Sequence, residues 1–197
     1  MNEESIMLQN SAARYLKEKC SGQFVKDTLK GEKGFSDQMW REMADMGWLS
    51  LIYEEKFGGS ACSFFDLFLL FQEIGRFRLP SPFYTSAFLS SSLIVESGDE
   101  KAKNSYLPDL ISGAKIMAAG ILDKQGLYGQ RAEEVKARHM SDGSYSLNGA
   151  KILVQYAHAA DYLLISTDAD GAESCGSTLF IVNPQDKGVT VSPLDTL

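Results

Sequence analysis

Few side chains in this chain are typed and spaced for catalysis. Glu54, Glu55 and Asp123 are the carboxylates placed where a general base could stand. A base needs desolvation and a fixed partner to reach a useful pKa. All three lie in polar loops and read as carboxylates in water. His139 and His158 have no Cys or Ser partner at a recognisable spacing, so a nucleophilic triad has no support. His158, close to Asp161, reads as a loop residue. The three cysteines, Cys20, Cys62 and Cys175, are odd in number, far apart and contain no C-x-x-C pair. That argues against a zinc site and a disulfide framework. Free thiols in a reducing cytoplasm are the expected state, which makes cytoplasmic the expected location.

Composition narrows the class. A chain of 197 residues with 44% hydrophobic and 23% charged residues can bury a sizeable core. Its net charge of −7 opposes a nucleic-acid role through a basic surface. The first 20 residues are acidic and then amphipathic, without the basic and apolar regions of a signal peptide. The longest apolar run, Phe64 to Phe71, is interrupted by Asp66 and falls far short of the ~20 residues of a membrane span.

The elements that must position any site come in two groups. Ile6, Ala13, Leu16 and Cys20 are spaced for one helical face, with Gly22 as a stop and a polar link through Gly31 and Gly34. Ser36 reads as the N-cap of a helix from Asp37 to Met46, with Gly47 after it. Residues 48–60 form a loop. Ser63 caps a helix from Phe64 to Ile74 that is apolar on nearly every side and therefore central, with Gly75 as its stop. After Leu79-Pro80-Ser81-Pro82, one helix spans Phe83 to Ser97, and Asp99 caps another through Tyr106. About five helices thus precede residue ~113.

The period then changes. Lys115 to Leu122 is an apolar run, and Glu133 to His139 alternates with Val135 and Ala137 on one side. Tyr145 and Leu147 alternate with serines up to Asn148-Gly149, which predicts a type I′ hairpin returning through Ile152-Leu153-Val154. Asp161 to Ile165, Ser177 to Val182 and Val189 to Val191 are further strands. Helices first and strands second predict an α+β organisation. The expected boundary divides an α-helical domain, residues 1–114, from a small antiparallel β-barrel domain, residues 115–197.

Leu147, Asn148, Gly149 and Lys151, followed by Ala160 and Asp161 before an apolar strand, make a combination far less generic than a hairpin. It resembles the middle β-domain of the acyl-CoA dehydrogenases. The helical half resembles the same family through Met39-Trp40 to Gly47-Trp48, Phe57-Gly58-Gly59, Glu73-Ile74-Gly75-Arg76, and Gly98-Asp99-Glu100-Lys101 with Tyr106 to Gly113. The segments 79–86 and 154–161 resemble one branch. Some members of that branch act on bulky acyl thioesters such as sterol side chains, and some work as mixed pairs with one flavin-poor subunit.

The resemblance implies FAD and an acyl-CoA substrate. A proton leaves the carbon next to the thioester for a carboxylate, and a hydride passes from the next carbon to the flavin. Two segments would hold the flavin ring. The family's A-L-T-E-P run falls on Gly120 to Lys124, with Leu122 in place of Thr, Asp123 in place of Glu and Lys124 in place of Pro. The family's W-I-T falls on Leu153-Val154-Gln155. Leu122, Asp123, Leu153 and Gln155 are therefore the expected cofactor contacts, and Ser81, Tyr84, Phe88 and Gly129 the expected substrate contacts. The catalytic Glu is expected in a further helical domain, so the chain reads as a fragment or as one piece of a split enzyme. Electron-transfer flavoprotein and a homo- or hetero-oligomeric partner are implied. The alternative is a flavin-poor, non-catalytic subunit paired with an active homologue.

Overall fold

The computed structural model describes residues 3–124, 134–169 and 177–194. The chain divides into two compact units between Lys115 and Ile116. Helices precede strands, as the change of period predicts.

The first unit holds α1 (Glu3–Lys19), α2 (Gly22–Lys30), α3 (Asp37–Asp45), α4 (Phe64–Phe77), a π-helical segment (Phe83–Ser90), α5 (Ser91–Glu96) and α6 (Glu100–Ile111). Ser36 accepts from the Met39 amide at 3.3 Å, and Gly47 takes φ +74° after α3, as expected. Ser63 and Asp66 form a full capping box at the start of α4. α2 replaces the expected link: Ser21 accepts from the Phe24 amide at 3.1 Å and starts a helix across Gly22. α4 runs past Gly75 to Phe77 and ends at Arg78, with φ +54°. α6 continues through Pro108 to Ile111 rather than stopping at Tyr106.

Two corrections concern burial. The buried line of α1 is Ser5, Ala12, Leu16 and Cys20, whereas Ile6 is 40% exposed. The face is displaced because α1 packs on α4 through a polar seam: Ser5 donates to Asp66, and Gln9 donates to Glu73 at 3.0 Å. Glu73 is buried, with the Arg76 guanidinium 3.3 Å away. α4 is not apolar and buried all round. Leu67, Leu69, Leu70 and Ile74 are buried, while Phe64, Phe65 and Phe68 are exposed at 66, 48 and 54%.

The span 83–97 is not one regular helix. Its first eight residues are π-helical, a wide turn that is uncommon at this length and frequent at functional sites. Hydroxyls support the wide turn. Ser90 donates to the Thr85 carbonyl at 2.7 Å and Ser91 to the Ser86 carbonyl at 3.0 Å. Buried Tyr53 donates to the Ala87 carbonyl at 2.6 Å. Its ring packs with Phe57, Leu107 and Ile111, each such burial contributing roughly 1.5–3 kcal/mol.

The second unit holds β1 (Met117–Gly120), β2 (Lys136–His139), β3 (Tyr145–Asn148), β4 (Tyr162–Ala169) and β5 (Thr178–Val182). β4 is the organising strand. β1 pairs with it in parallel over Met117↔Tyr162 to Gly120↔Ile165, and β5 pairs with it antiparallel over Leu163↔Val182 to Thr167↔Thr178. β2 joins the same strand in parallel further along and pairs antiparallel with β3. Val135 and Ala137 are both buried, as their alternation predicts. Asp161, from the A-D element, clamps the start of β1: its carboxylate accepts from the Ile116 amide at 2.9 Å, and its own amide donates to the Ile116 carbonyl at 2.8 Å.

The small sheet after the helices is as expected; among the described residues two of its pairings are parallel and it does not close into a barrel. Two local expectations fail. Residues 151–154 form no strand, so Asn148-Gly149 is not a hairpin turn. β3 is already paired with β2, and Gly149 passes so close to β2 that a Cβ would lie 2.5 Å from the Glu134 carbonyl oxygen. Leu153 and Tyr156 then take φ +53° and +58°, which no strand accommodates. Residues 189–191 are likewise outside any strand.

Two stability outcomes follow from the first unit. Gly113 has φ +74°, and an added Cβ would lie 3.0 Å from Leu49 and 3.1 Å from Ala44. Gly113→Ala is expected to lower the unfolding free energy by about 1–3 kcal/mol, read by tryptophan fluorescence in urea. Tyr53→Phe removes a buried hydroxyl donor and is expected to cost about 1–3 kcal/mol. Burial raises the Tyr53 phenol to about 12, with hydrogen bonds from Ser92 and Ser91 opposing. A folded pKa above the unfolded value of 10.0 means a contribution complete below pH 10 and lost as pH rises toward 12. Urea midpoints between pH 9 and 12 should therefore fall less steeply in Tyr53→Phe than in the natural chain.

Candidate functional site

The expected cofactor contacts lie in the second unit. There the segment Gly120–Lys124 runs beside residues 151–153. The Ile152 amide donates to the Leu122 carbonyl at 2.9 Å. The Lys151 ammonium lies 2.7 Å from the Asp123 carboxylate, and their side chains are 4% and 5% exposed. The contact is ionic: the Asp123 oxygen receives no well-directed hydrogen bond. Asp123 is thus a buried, paired carboxylate, which corrects the expectation of a loop acid in water. Glu54 and Glu55 are exposed as expected, with Glu54 paired to Lys56 at 3.1 Å.

Of the four expected flavin contacts, Leu122 is half-buried, while Leu153 and Gln155 are exposed. Leu153, at 58% exposure and φ +53°, presents an apolar side chain that its own unit does not cover. Among the described residues, nothing accepts from the amides of Leu122 and Asp123. The Lys124 amide is different: it donates to the Glu134 carboxylate at 3.2 Å. The structure therefore leaves two amides of this segment available rather than three. Gly129 and Cys175 lie outside the described residues.

The expected substrate contacts lie in the first unit. Tyr84 and Phe88, one turn apart on the π-helical segment, gather with Phe71 and Phe64 of α4. Ring centroids are 6.0 Å apart for Tyr84–Phe88, 5.6 Å for Phe71–Phe88 and 6.0 Å for Phe64–Phe88. Edge and tilted geometries of this kind are the favoured ones for aromatic pairs. Tyr84 is 47% exposed, so the cluster has an open apolar face. Ser81, half-buried two residues before the segment, takes no part in these ring contacts.

Two residues escaped the sequence reading. Lys151 was visible only as a letter of the L-N-G-x-K element, and nothing local marked it as the partner of Asp123. Tyr53 lies in a stretch without periodicity, and no local signal pointed to it. His139 is exposed and sits against Tyr145 across the β2–β3 pair at 5.0 Å, and His158 is exposed beside Tyr156. Burial pushes the Cys20 and Cys62 thiols up, away from the reactive thiolate. Among the described residues no cluster of His, Cys, Asp and Glu could hold a metal ion, and no helix is long and apolar enough to cross a membrane.

Comparison with known proteins bears on the family and the fold. The family profile described as "Acyl-CoA dehydrogenase, N-terminal domain" matches residues 2–114. Isovaleryl-CoA dehydrogenase, mitochondrial, of Bos taurus is 28% identical over 172 residues, covering 86% of this chain and 40% of its own length. This chain thus spans about two fifths of that curated relative. The solved Tcur3481-Tcur3483 steroid ACAD shares the fold at TM-score 0.83 and 23% identity, covering 100% of this chain and 52% of that one. An acyl-CoA dehydrogenase complexed with FAD from Bacillus anthracis does so at TM-score 0.84 and 21% identity, over 100% of this chain and 33% of that one. With more than half of its residues matched by the family profile, the chain belongs to the acyl-CoA dehydrogenase family.

Proposed function

We propose that this chain is the N-terminal and middle part of an FAD-dependent acyl-CoA dehydrogenase that desaturates an acyl-CoA thioester between its α and β carbons. Residues 1–114 are the helical domain of that enzyme and residues 115–197 its middle β-domain. The observation that carries the reading is the edge formed by Leu122, Asp123 and Leu153, where two amides that meet no acceptor among the described residues stand on a segment bonded to an outward apolar side chain. A flat heterocycle with polar edges needs those two things from a protein surface. FAD, when bound, supplies the hydride acceptor. Leu122 and Asp123 would hold its ring edge through their amides, Leu153 would cover a ring face, and Gln155 would add a side-chain amide.

The aromatic face of Phe64, Phe71, Tyr84 and Phe88 suits an apolar acyl chain and excludes water around it. A broad face of rings favours a bulky acyl group, and the steroid ACAD noted above has the same fold. Asp123 is not assigned as the base, because its charge is neutralised by Lys151. The base belongs to the part of the family's length that this chain does not span. Electron-transfer flavoprotein is the proposed electron acceptor, and the cytoplasm the proposed location.

A second reading rests on a specific observation. The Lys124 amide is occupied by Glu134, and the positions of the family's Thr and Trp are held by Leu122 and Leu153. Such a chain suits a flavin-poor subunit paired with an active homologue.

One preparation distinguishes the two. The protein expressed from its complete reading frame is expected to be yellow, to release FAD on denaturation and to bleach with an acyl-CoA. A colourless protein that cannot be reconstituted with FAD, yet forms a mixed oligomer when coexpressed with a flavin-containing homologue, would replace the first reading with the second.

A further inference from the structure

We infer that Asp123 and Lys151 are a positioning pair, a buried ionic latch that sets where the Leu122 and Asp123 amides stand. The inference rests on the flavin reading above for its purpose, and on the second unit alone for its geometry.

Segment 120–123 is held at every residue, and never by a ladder of its own beyond Gly120. Ser166 donates to the Gly120 carbonyl at 3.5 Å and to the Ile121 carbonyl at 3.3 Å. Lys151 reaches the Ile121 carbonyl at 3.4 Å, Ile152 bonds the Leu122 carbonyl, and the Lys151 ammonium pairs with the Asp123 carboxylate. Each tie takes a carbonyl or a carboxylate and leaves the Leu122 and Asp123 amides alone. The route of the lysine is prepared as well: at Gly120 a Cβ would lie 2.8 Å from Ile165 and 3.3 Å from the Lys151 stem. A glycine there gives the stem its path past the end of β1.

The charges explain why this tie differs from the others. A neutral tie that loosens lets water in at small cost. A buried ion pair that separates leaves a charge in a low-dielectric site. The pair therefore has one favourable arrangement, and the two amides are carried with it. Lys151 and Asp123 thus act through the backbone of the segment and need not touch the substrate.

The test uses the protein from its complete reading frame with Asp123→Asn, Asp123→Glu and the double variant Asp123→Asn/Lys151→Met. The double variant leaves no buried charge behind, so it separates positioning from folding. Two quantities are read: hydrogen exchange at the Ile152 amide without cofactor, and the dissociation constant of FAD. Asp123→Asn and the double variant are expected to speed Ile152 exchange and to weaken FAD on the order of tenfold or more each. Asp123→Glu, which keeps the charge, is expected to recover most of both. Unchanged Ile152 exchange in the double variant would overturn the latch, as would accelerated exchange with unaltered FAD affinity. If the unsubstituted protein takes up no FAD, the flavin reading fails. The exchange data then still decide whether the pair holds the segment.

Discussion

Every backbone carbonyl that leaves water has to meet a donor, and regular secondary structure supplies that donor only where its period is unbroken. In both units the residues nearest the proposed chemistry sit where the period breaks. The π-helical segment Phe83–Ser90 has too wide a turn for the usual ladder, and hydroxyls of Tyr53, Ser90 and Ser91 reach its carbonyls. The segment after β1 has left its sheet, and Ile152, Lys151 and Ser166 take over. Side chains recruited to satisfy backbone groups also fix them in space, which regular ladders do for strands but not for loops. That constraint is what makes an irregular segment rigid enough to face a ligand.

The two units solve charge burial in contrasting ways. On the α1–α4 seam, Glu73 is buried but shared among Gln9 and a largely exposed Arg76. Asp66 there receives hydroxyls from Ser5 and Ser63, which hold its carboxyl below the usual range. These are dispersed networks in which one lost contact leaves others. Among the described residues Asp123 has one cation, itself buried. Desolvation costs several kcal/mol per buried ion, while the pair's attraction at 2.7 Å is about 6 kcal/mol for an effective dielectric of 20. The terms nearly cancel. The pair adds little to stability, and its value lies in discriminating one loop position from its neighbours.

Sequence reasoning succeeded where a rule is local. The Ser36 and Ser63 caps, the left-handed Gly47 and the alternation of Val135 and Ala137 each depend on residues within a turn or two, and each stands in the structure. It failed where a distant partner decides. Ile6 scores as core, but the helix opposite offers Asp66, so Ser5 is buried instead. The Asn-Gly pair scores as a hairpin turn, but β2 had already taken the edge of β3. Phe64 to Ile74 scores as buried all round because hydropathy does not say how many neighbours a helix has. The family elements carried further than propensity did, since their order along the chain stands for a whole set of distant contacts. Even so they named Lys151 without giving it a role.

Whether the departures from the family's wording remove the flavin is a question of magnitude. Replacing Thr by Leu122 forfeits one neutral hydrogen bond, about 1 kcal/mol. Replacing an aromatic wall by Leu153 forfeits roughly 0.5–1.5 kcal/mol of ring contact. The occupied Lys124 amide, bonded to Glu134, removes a donor worth about 1 kcal/mol more. Together these come to about 3 kcal/mol, or roughly two powers of ten in affinity. A cofactor site starting at nanomolar would then still bind below about a micromolar. The amides of Leu122 and Asp123 do not depend on side-chain identity, and the apolar face of Leu153 survives in reduced form. The substitutions are thus of a size to loosen a flavin and not to exclude it. That places the weight of the decision on the position of the two remaining amides, and so on the ties that hold residues 120–123.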